Sequence, residues 1–249
     1  MRGALIAVLA AAALAPASAA CARPHAGVGG RTEPLPYVEV LAGGARADDA
    51  LPLVVALHGR GDTAEAFATL FDRLAVPARV VVLRPPHPFG DGQAWFLGAR
   101  AVPESRGKIA AELDALADRV VATADAVRAA RPTRGKPIVM GFSQGAMLTW
   151  TIVVRHPDAF AAAFPVAGLL FPEALKHAHV DGARLPPVVA FHGTDDPLVP
   201  IADDRRGVAL LEKRGARPEL RVYPGVPHAL TPEIVANLMS AMARALEQR

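Results

Sequence analysis

The sequence predicts an α/β domain whose core is a mostly parallel sheet of about seven strands with helices on both faces. From Tyr37 onward, short apolar runs alternate with longer amphipathic segments, the pattern of βαβ units. No internal repeat and no linker interrupts the chain after residue 36. The 249 residues, 52% of them hydrophobic and 20% charged, suffice for one sizeable core and exclude a disordered chain.

Taken in order, the expected strands are Tyr37 to Leu41, Leu53 to Leu57, Val80 to Leu83, Ile138 to Phe142, Ala161 to Val166, Val188 to Phe191 and Leu220 to Tyr223. Helical apolar spacing marks Thr63 to Leu74, Ile109 to Ala130, Gly145 to Arg155, Asp203 to Arg214 and Pro232 to Gln248. In the second helix Leu113, Leu116, Val120 and Val127 share one face, which should pack on the sheet. The last helix opens on Thr231-Pro232-Glu233, an N-cap residue, a proline at the first helical position and an early acid. A long irregular loop is expected from Gly90 to Arg106. Strand order does not follow from one sequence.

Charge excludes a nucleic-acid partner. The formal excess is only +3, and the arginines are scattered. Only four of the 27 basic residues are lysines, so arginine's high pKa accounts for the isoelectric point near 9.4 without a basic patch. A single cysteine, Cys21, excludes an internal disulfide and a cysteine-based metal site.

Residues 1–20 read as a secretory signal peptide: Arg2 begins it, an apolar run extends from Ala4 to Ala15, and small residues follow Pro16. The run is too short for a permanent membrane anchor. Ala17-Ser18-Ala19 fits an ordinary cleavage pattern, whereas Ser18-Ala19-Ala20-Cys21 resembles a bacterial lipobox with Ser18 where Leu is usual. A soluble exported form and a form lipidated on Cys21, tethered to the membrane, are therefore both expected outcomes. Residues 21–36, rich in Gly and Pro, are expected to be a flexible leader to a domain of residues 37–249.

The chemistry concentrates in Gly141-Phe142-Ser143-Gln144-Gly145, which stands between an expected buried strand and a helix. In that context G-x-S-x-G is a nucleophile elbow: a strained turn exposes the Ser143 hydroxyl, and flanking glycines avoid side-chain clashes. A serine needs a base and the base an orienting acid. Both follow at strand ends. Asp195 and Asp196 lie in His192-Gly193-Thr194-Asp195-Asp196-Pro197-Leu198-Val199-Pro200, and His228 follows the next strand. The oxyanion donors are expected to be the backbone N–H groups of Gln144 and of Arg60, in the loop His58-Gly59-Arg60-Gly61-Asp62. For the Arg60 side chain, a substrate contact and a surface ion pair stand as alternatives. Trp95 and Phe96 are expected either to wall an acyl pocket or to pack in the core, as are Leu169-Leu170-Phe171. His58 and His192 are read as shaping their loops, and His177 and His179 as solvated rather than zinc-binding.

Together these residues resemble the phospholipase/carboxylesterase family, which includes the acyl-protein thioesterases, within the α/β-hydrolase superfamily. The resemblance covers about residues 50–245. It implies an α/β-hydrolase fold, with the nucleophile at Ser143, the acid at Asp196 rather than Asp195, the base at His228 and oxyanion donors at Arg60 and Gln144. Substrate contacts fall on Trp95, Phe96 and Leu198. No metal or organic cofactor is implied, and the expected partner is a small-molecule ester. Two departures, Arg60 where an apolar residue is frequent and Leu97 where Asp is common, both touch the mouth of the site. The leading expectation is an exported serine carboxylesterase for small or medium acyl esters. The alternatives are an extracellular polymer esterase or depolymerase, of feruloyl, acetyl-xylan or polyhydroxyalkanoate type, and a non-catalytic tethered binding protein.

Overall fold

A computed structural model describes residues 33–98, 103–176 and 181–248. In chain order the elements are β1 (Tyr37–Ala42), β2 (Leu53–Leu57), α1 (Ala64–Ala68), β3 (Ala78–Leu83), β4 (His87–Phe89), β5 (Gly92–Ala94), α2 (Pro103–Ala130), β6 (Ile138–Phe142), α3 (Gln144–Arg155), β7 (Ala163–Val166), β8 (Val189–Gly193), α4 (Ile201–Glu212), β9 (Glu219–Tyr223) and α5 (Pro232–Glu247). Seven strands form one sheet in the order β1-β3-β2-β6-β7-β8-β9, and β4 and β5 form a separate hairpin. Only β1 is antiparallel to its neighbour; the other pairs of the large sheet run parallel.

Period-2 alternation splits the core into two layers. In β2, Leu53, Val55 and Leu57 join the apolar faces of α2 and α3, while Val54 and Ala56 join residues of α1 and α5. The expected face of α2 is buried as its spacing implies: Leu113, Leu116, Val120 and Val127 all lie in the first layer. Thr231 caps α5 by accepting from the Ile234 amide. Among the described residues, no helix is long and apolar enough to cross a membrane.

Chain order positions the site. After β2 the chain moves to β3 on one side, then returns to place β6 on the other side of β2. The loops leaving the carboxyl ends of β2 and β6 therefore diverge and open a crevice at the switch point. Arg60 follows β2 and Ser143 follows β6, so both stand at that crevice.

Several expectations are corrected. The segment Gly90 to Arg106 is not one irregular loop: β5 pairs with β4, and α2 begins at Pro103. Three-residue strands containing Gly, Gln and Pro carry no alternation signal, and Ser105, Arg106 and Lys108 give the first turns of α2 no apolar period. The helix expected over Thr63 to Leu74 is α1 followed by a 3₁₀ segment, Thr69–Arg73. There the Thr69 hydroxyl bonds back to the Ala66 carbonyl at 2.8 Å, competing with the α-helical ladder. The end of the expected leader is also packed: Leu35 is buried in the core, and its amide donates to Thr123 Oγ1 at 2.8 Å. The packed domain thus includes Leu35. Residues 1–32, including the signal segment and Cys21, lie outside the described residues, as do His177 and His179.

Candidate active site

Ser143 occupies a turn with φ 55° and ψ −116°, a region costly for a residue with a Cβ. The backbone fixes it there, since the Ser143 amide donates to the Val166 carbonyl of β7 at 2.9 Å. The glycines on either side are required by close approach. A Cβ at Gly141 would lie 2.2 Å from the Gly145 carbonyl oxygen, and one at Gly145 would lie 2.1 Å from that of Leu57. Any larger residue would push α3 off β6 or off β2.

The hydroxyl so exposed meets the expected partners. Ser143 Oγ lies 2.9 Å from His228 Nε2, and His228 Nδ1 lies 2.6 Å from Asp196 Oδ2. The Asp196 side chain is fully buried, and its other oxygen, Oδ1, accepts from the amides of Leu198 at 2.9 Å and Val199 at 2.7 Å. The loops carrying Asp196 and His228 are stitched together: Thr194 N–H donates to Tyr223 O, Asp195 N–H to Val226 O, and Gly225 N–H to Thr194 Oγ1. Phe142 packs on the His228 ring, with centroids 5.1 Å apart. A serine hydrogen-bonded to an imidazole whose other nitrogen meets a buried carboxylate has the parts for removing the hydroxyl proton during nucleophilic attack. Asp195 is elsewhere: it is exposed and accepts from the Thr194 hydroxyl at 2.7 Å.

The Gln144 amide is the first of α3, so no intrahelical carbonyl lies before it to accept. The loop with Arg60 is held by the β4–β5 hairpin: Gly61 N–H donates to Gln93 O at 2.8 Å, and Gln93 N–H to Asp62 O at 3.0 Å. Neither the Arg60 nor the Gln144 amide donates to a described residue. Among the described residues the Arg60 side chain forms no ion pair. Its guanidinium stacks over the Phe89 ring of β4, 4.8 Å from the centroid.

The substrate-binding expectation needs correction at two positions. Trp95 is 0% exposed and Phe96 3%. Both belong to the core, which leaves them no surface to offer a substrate, and Trp95 Nε1 donates to the His58 carbonyl at 2.8 Å. Leu169, Leu170 and Phe171 are core residues too. Leu198, by contrast, is 61% exposed two residues from Asp196, and Leu97 is 58% exposed beside Phe96. An indole needs a partner for its N–H when buried; here that partner is a carbonyl of the loop that carries Arg60, which Trp95 braces from behind.

Sequence reasoning missed further contributions. The Gln144 side chain is buried, accepting from the Trp95 amide at 3.0 Å and donating to the Phe96 carbonyl at 3.0 Å. The signal was a polar residue at a helix position that is otherwise apolar, Gln144 heading Ala146-Met147-Leu148. Phe142 and Phe89 were legible only as aromatic residues without a position. His58 does shape its loop, with Nδ1 2.8 Å from Gly59 O, and burial lowers its pKa. His192 is buried against Asp204, Nδ1 to Oδ2 2.9 Å. Among the described residues no group of three or more His, Cys, Asp or Glu side chains is arranged to hold a metal ion.

Comparison with known proteins agrees with this architecture. The sequence pattern described as Phospholipase/Carboxylesterase matches residues 39–245. The chain is 26% identical over 110 residues to the "Probable carboxylesterase SOBER1-like" of Arabidopsis thaliana, covering 44% of this chain and 42% of that protein. It thus spans less than half the length of that relative. It is 29% identical over 191 residues to the "Probable inactive carboxylesterase Os04g0669700" of Oryza sativa subsp. japonica, covering 71% of this chain and 78% of that one. Among solved structures, esterase PE8 superposes with a TM-score of 0.70 at 25% identity, over 86% of this chain and all of that one.

Proposed function

Since the chain belongs to the phospholipase/carboxylesterase family, we propose that it is a serine carboxylesterase for small or medium acyl esters, with Ser143 as nucleophile, His228 as base and Asp196 as acid. The observation that carries this reading is the hydrogen-bonded chain from Ser143 Oγ through His228 to Asp196. His228 Nε2 takes the hydroxyl proton as Ser143 Oγ bonds to the ester carbonyl carbon. Asp196 stabilises the imidazolium, and the Arg60 and Gln144 amides receive the negative oxygen. Collapse of the tetrahedral species expels the alcohol, which takes the proton from His228 and leaves an acyl group on Ser143. Water, deprotonated by His228, then releases the acid by the same route.

The exposed leucines Leu97 and Leu198 support an apolar acyl group rather than a charged one at the mouth. Export is part of the proposal and rests on the amino-terminal pattern alone. The mature protein is either a soluble secreted or periplasmic enzyme or one tethered through lipidated Cys21, and a diacylglyceryl mass on that residue distinguishes them.

The test is covalent labelling by a fluorophosphonate together with hydrolysis of short-chain 4-nitrophenyl esters. Wild type should label and turn over, and Ser143→Ala should do neither while keeping its circular dichroism spectrum. Absence of turnover and labelling in wild type would favour the binding-protein reading; undiminished activity in Ser143→Ala would move the nucleophile elsewhere.

A further inference from the structure

Behind the proposed triad stands a second buried histidine–carboxylate pair that the mechanism does not use. His192, at the end of β8, is 0% exposed, and Asp204, in the first turn of α4, is 1% exposed. His192 Nδ1 lies 2.9 Å from Asp204 Oδ2. On the other side of the ring, Nε2 lies 2.7 Å from the Val199 carbonyl oxygen and 3.4 Å from Asp196 Oδ2, the same oxygen that meets His228. The ring bridges α4 and the loop that carries Asp196.

Proton accounting fixes the direction of the bond at Nε2. A carbonyl oxygen only accepts, so Nε2 carries a hydrogen, directed at Val199 O with Asp196 nearby. The contact between Nδ1 and Asp204 needs a second hydrogen. Supplied by the ring, it makes an imidazolium whose positive charge lies closer to Asp196 than Asp204 does; supplied by the Asp204 carboxyl, it leaves the ring neutral. Burial works against the charge on His192, but the bond and charge of Asp204 outweigh it and leave the histidine's pKa raised. Burial raises the pKa of Asp204 as well. The groups facing the pair are few: Asp196 from the loop after β8, Val199 O, and the Trp150 indole of α3, which approaches Asp204 without meeting hydrogen-bond geometry.

A buried ion pair is a poor device for stability alone, because an apolar pair of similar volume does as well or better. Here the pair's hydrogen bonding outside itself goes to the acid loop. Val199 is the pivot, its carbonyl accepting from His192 and its amide donating to Asp196 Oδ1. We propose that the ring is the imidazolium and that His192 and Asp204 are positioning residues of the esterase site, holding the Asp196 loop in register and setting a positive end against Asp196. The proposal rests on Asp196 being the triad acid.

Asp204→Asn is the informative variant. An Asn amide donates to Nδ1, so the ring keeps its Nε2–H bond to Val199 O but becomes neutral. With the positive end gone, the acid limb of the kcat/KM profile for 4-nitrophenyl acetate should move up by about 0.5 to 1 pH unit, the field of the nearer charge being partly cancelled by the loss of Asp204. Proton NMR of the full chain without substrate supplies an independent readout. Wild type should show two strongly deshielded protons, one on each histidine Nδ1; Asp204→Asn should lose one and shift the other. His192→Gln, which keeps a donor toward Val199 O without the charge, should move the acid limb the same way and serves should Asp204→Asn not fold. A lower melting temperature with an unmoved acid limb and an unmoved His228 resonance would overturn the proposal and leave the pair a packing feature. If wild type has no esterase activity, the mechanism above fails, and the NMR shift alone still decides whether the two pairs are coupled.

Discussion

Replacing Asp196 with Asn changes one atom, and the structure dictates which way the new amide faces. Asp196 Oδ1 accepts from two backbone amides, Leu198 N–H at 2.9 Å and Val199 N–H at 2.7 Å, while Oδ2 faces His228 Nδ1 at 2.6 Å. Turning the NH₂ toward Leu198 and Val199 would set donor against donor at two groups that cannot lose their hydrogens. Leaving two amides unpaired costs about 1 to 3 kcal/mol each. Turning it toward His228 sets donor against donor once, and the imidazole relieves that by moving its hydrogen from Nδ1 to Nε2. The second arrangement wins. His228 then presents an N–H, not a lone pair, to Ser143 Oγ, and the hydroxyl has no base. In the corresponding substitution of a serine protease triad, the wrong tautomer lowers kcat by about 10⁴, which corresponds to about 5 kcal/mol of barrier. Asp196→Asn should therefore lose about four orders of magnitude in kcat on a short-chain ester, with little change in melting temperature. Asp195→Asn should stay near wild type, because that side chain meets only Thr194. Retention of more than a tenth of the activity by Asp196→Asn, or a larger loss in Asp195→Asn, would refute the reasoning.

Other perturbations separate backbone from side-chain contributions. Arg60→Ala keeps the backbone donor and loses only the stack on Phe89, an exposed contact of about 0.5 to 1 kcal/mol, so kcat/KM should fall no more than about fivefold; a loss of two orders of magnitude would assign the guanidinium a direct role. Gln144→Leu strands the buried Trp95 amide and Phe96 carbonyl, which should destabilise by at least about 2 kcal/mol in urea melts and lower turnover through the oxyanion loop, and unchanged stability would contradict the tether. Burial lowers the pKa of His58 below the ordinary histidine value of 6.5, so the unfolded chain takes up the proton first as pH falls. Wild type should lose stability relative to His58→Gln as pH drops below 6.5, and a difference in melting temperature that is flat with pH would oppose this.

Local chemistry made the strands and the strained turn at Ser143 legible. β2 and β6 have the bounds their apolar runs imply, and Gly141 and Gly145 flank Ser143 because no Cβ fits at either place. Patterns of this kind are written in neighbouring residues. The β4–β5 hairpin was not legible, since its three-residue strands depend on contacts with the loop at Gly61 and Asp62 rather than on their own alternation. Trp95 looked like a pocket wall because an aromatic residue beside a site satisfies either reading, and only burial distinguishes them.

By itself the sequence determined the fold class, the elbow at Ser143 and the chain order of its partners, because periodicity, glycine sterics and motif spacing are properties of contiguous residues. The tertiary structure set His228 against Asp196 and left Asp195 exposed, buried Trp95 and Phe96 in the core, and brought His192 to Asp204. The physical reason is distance in the chain. His228 meets Ser143 across 85 positions and Asp196 across 32, and Asp204 reaches the site only because α4 packs back against β8. The strand order decides which loops share a crevice, and it arises from how the two apolar layers close around the sheet, a choice that no single segment encodes.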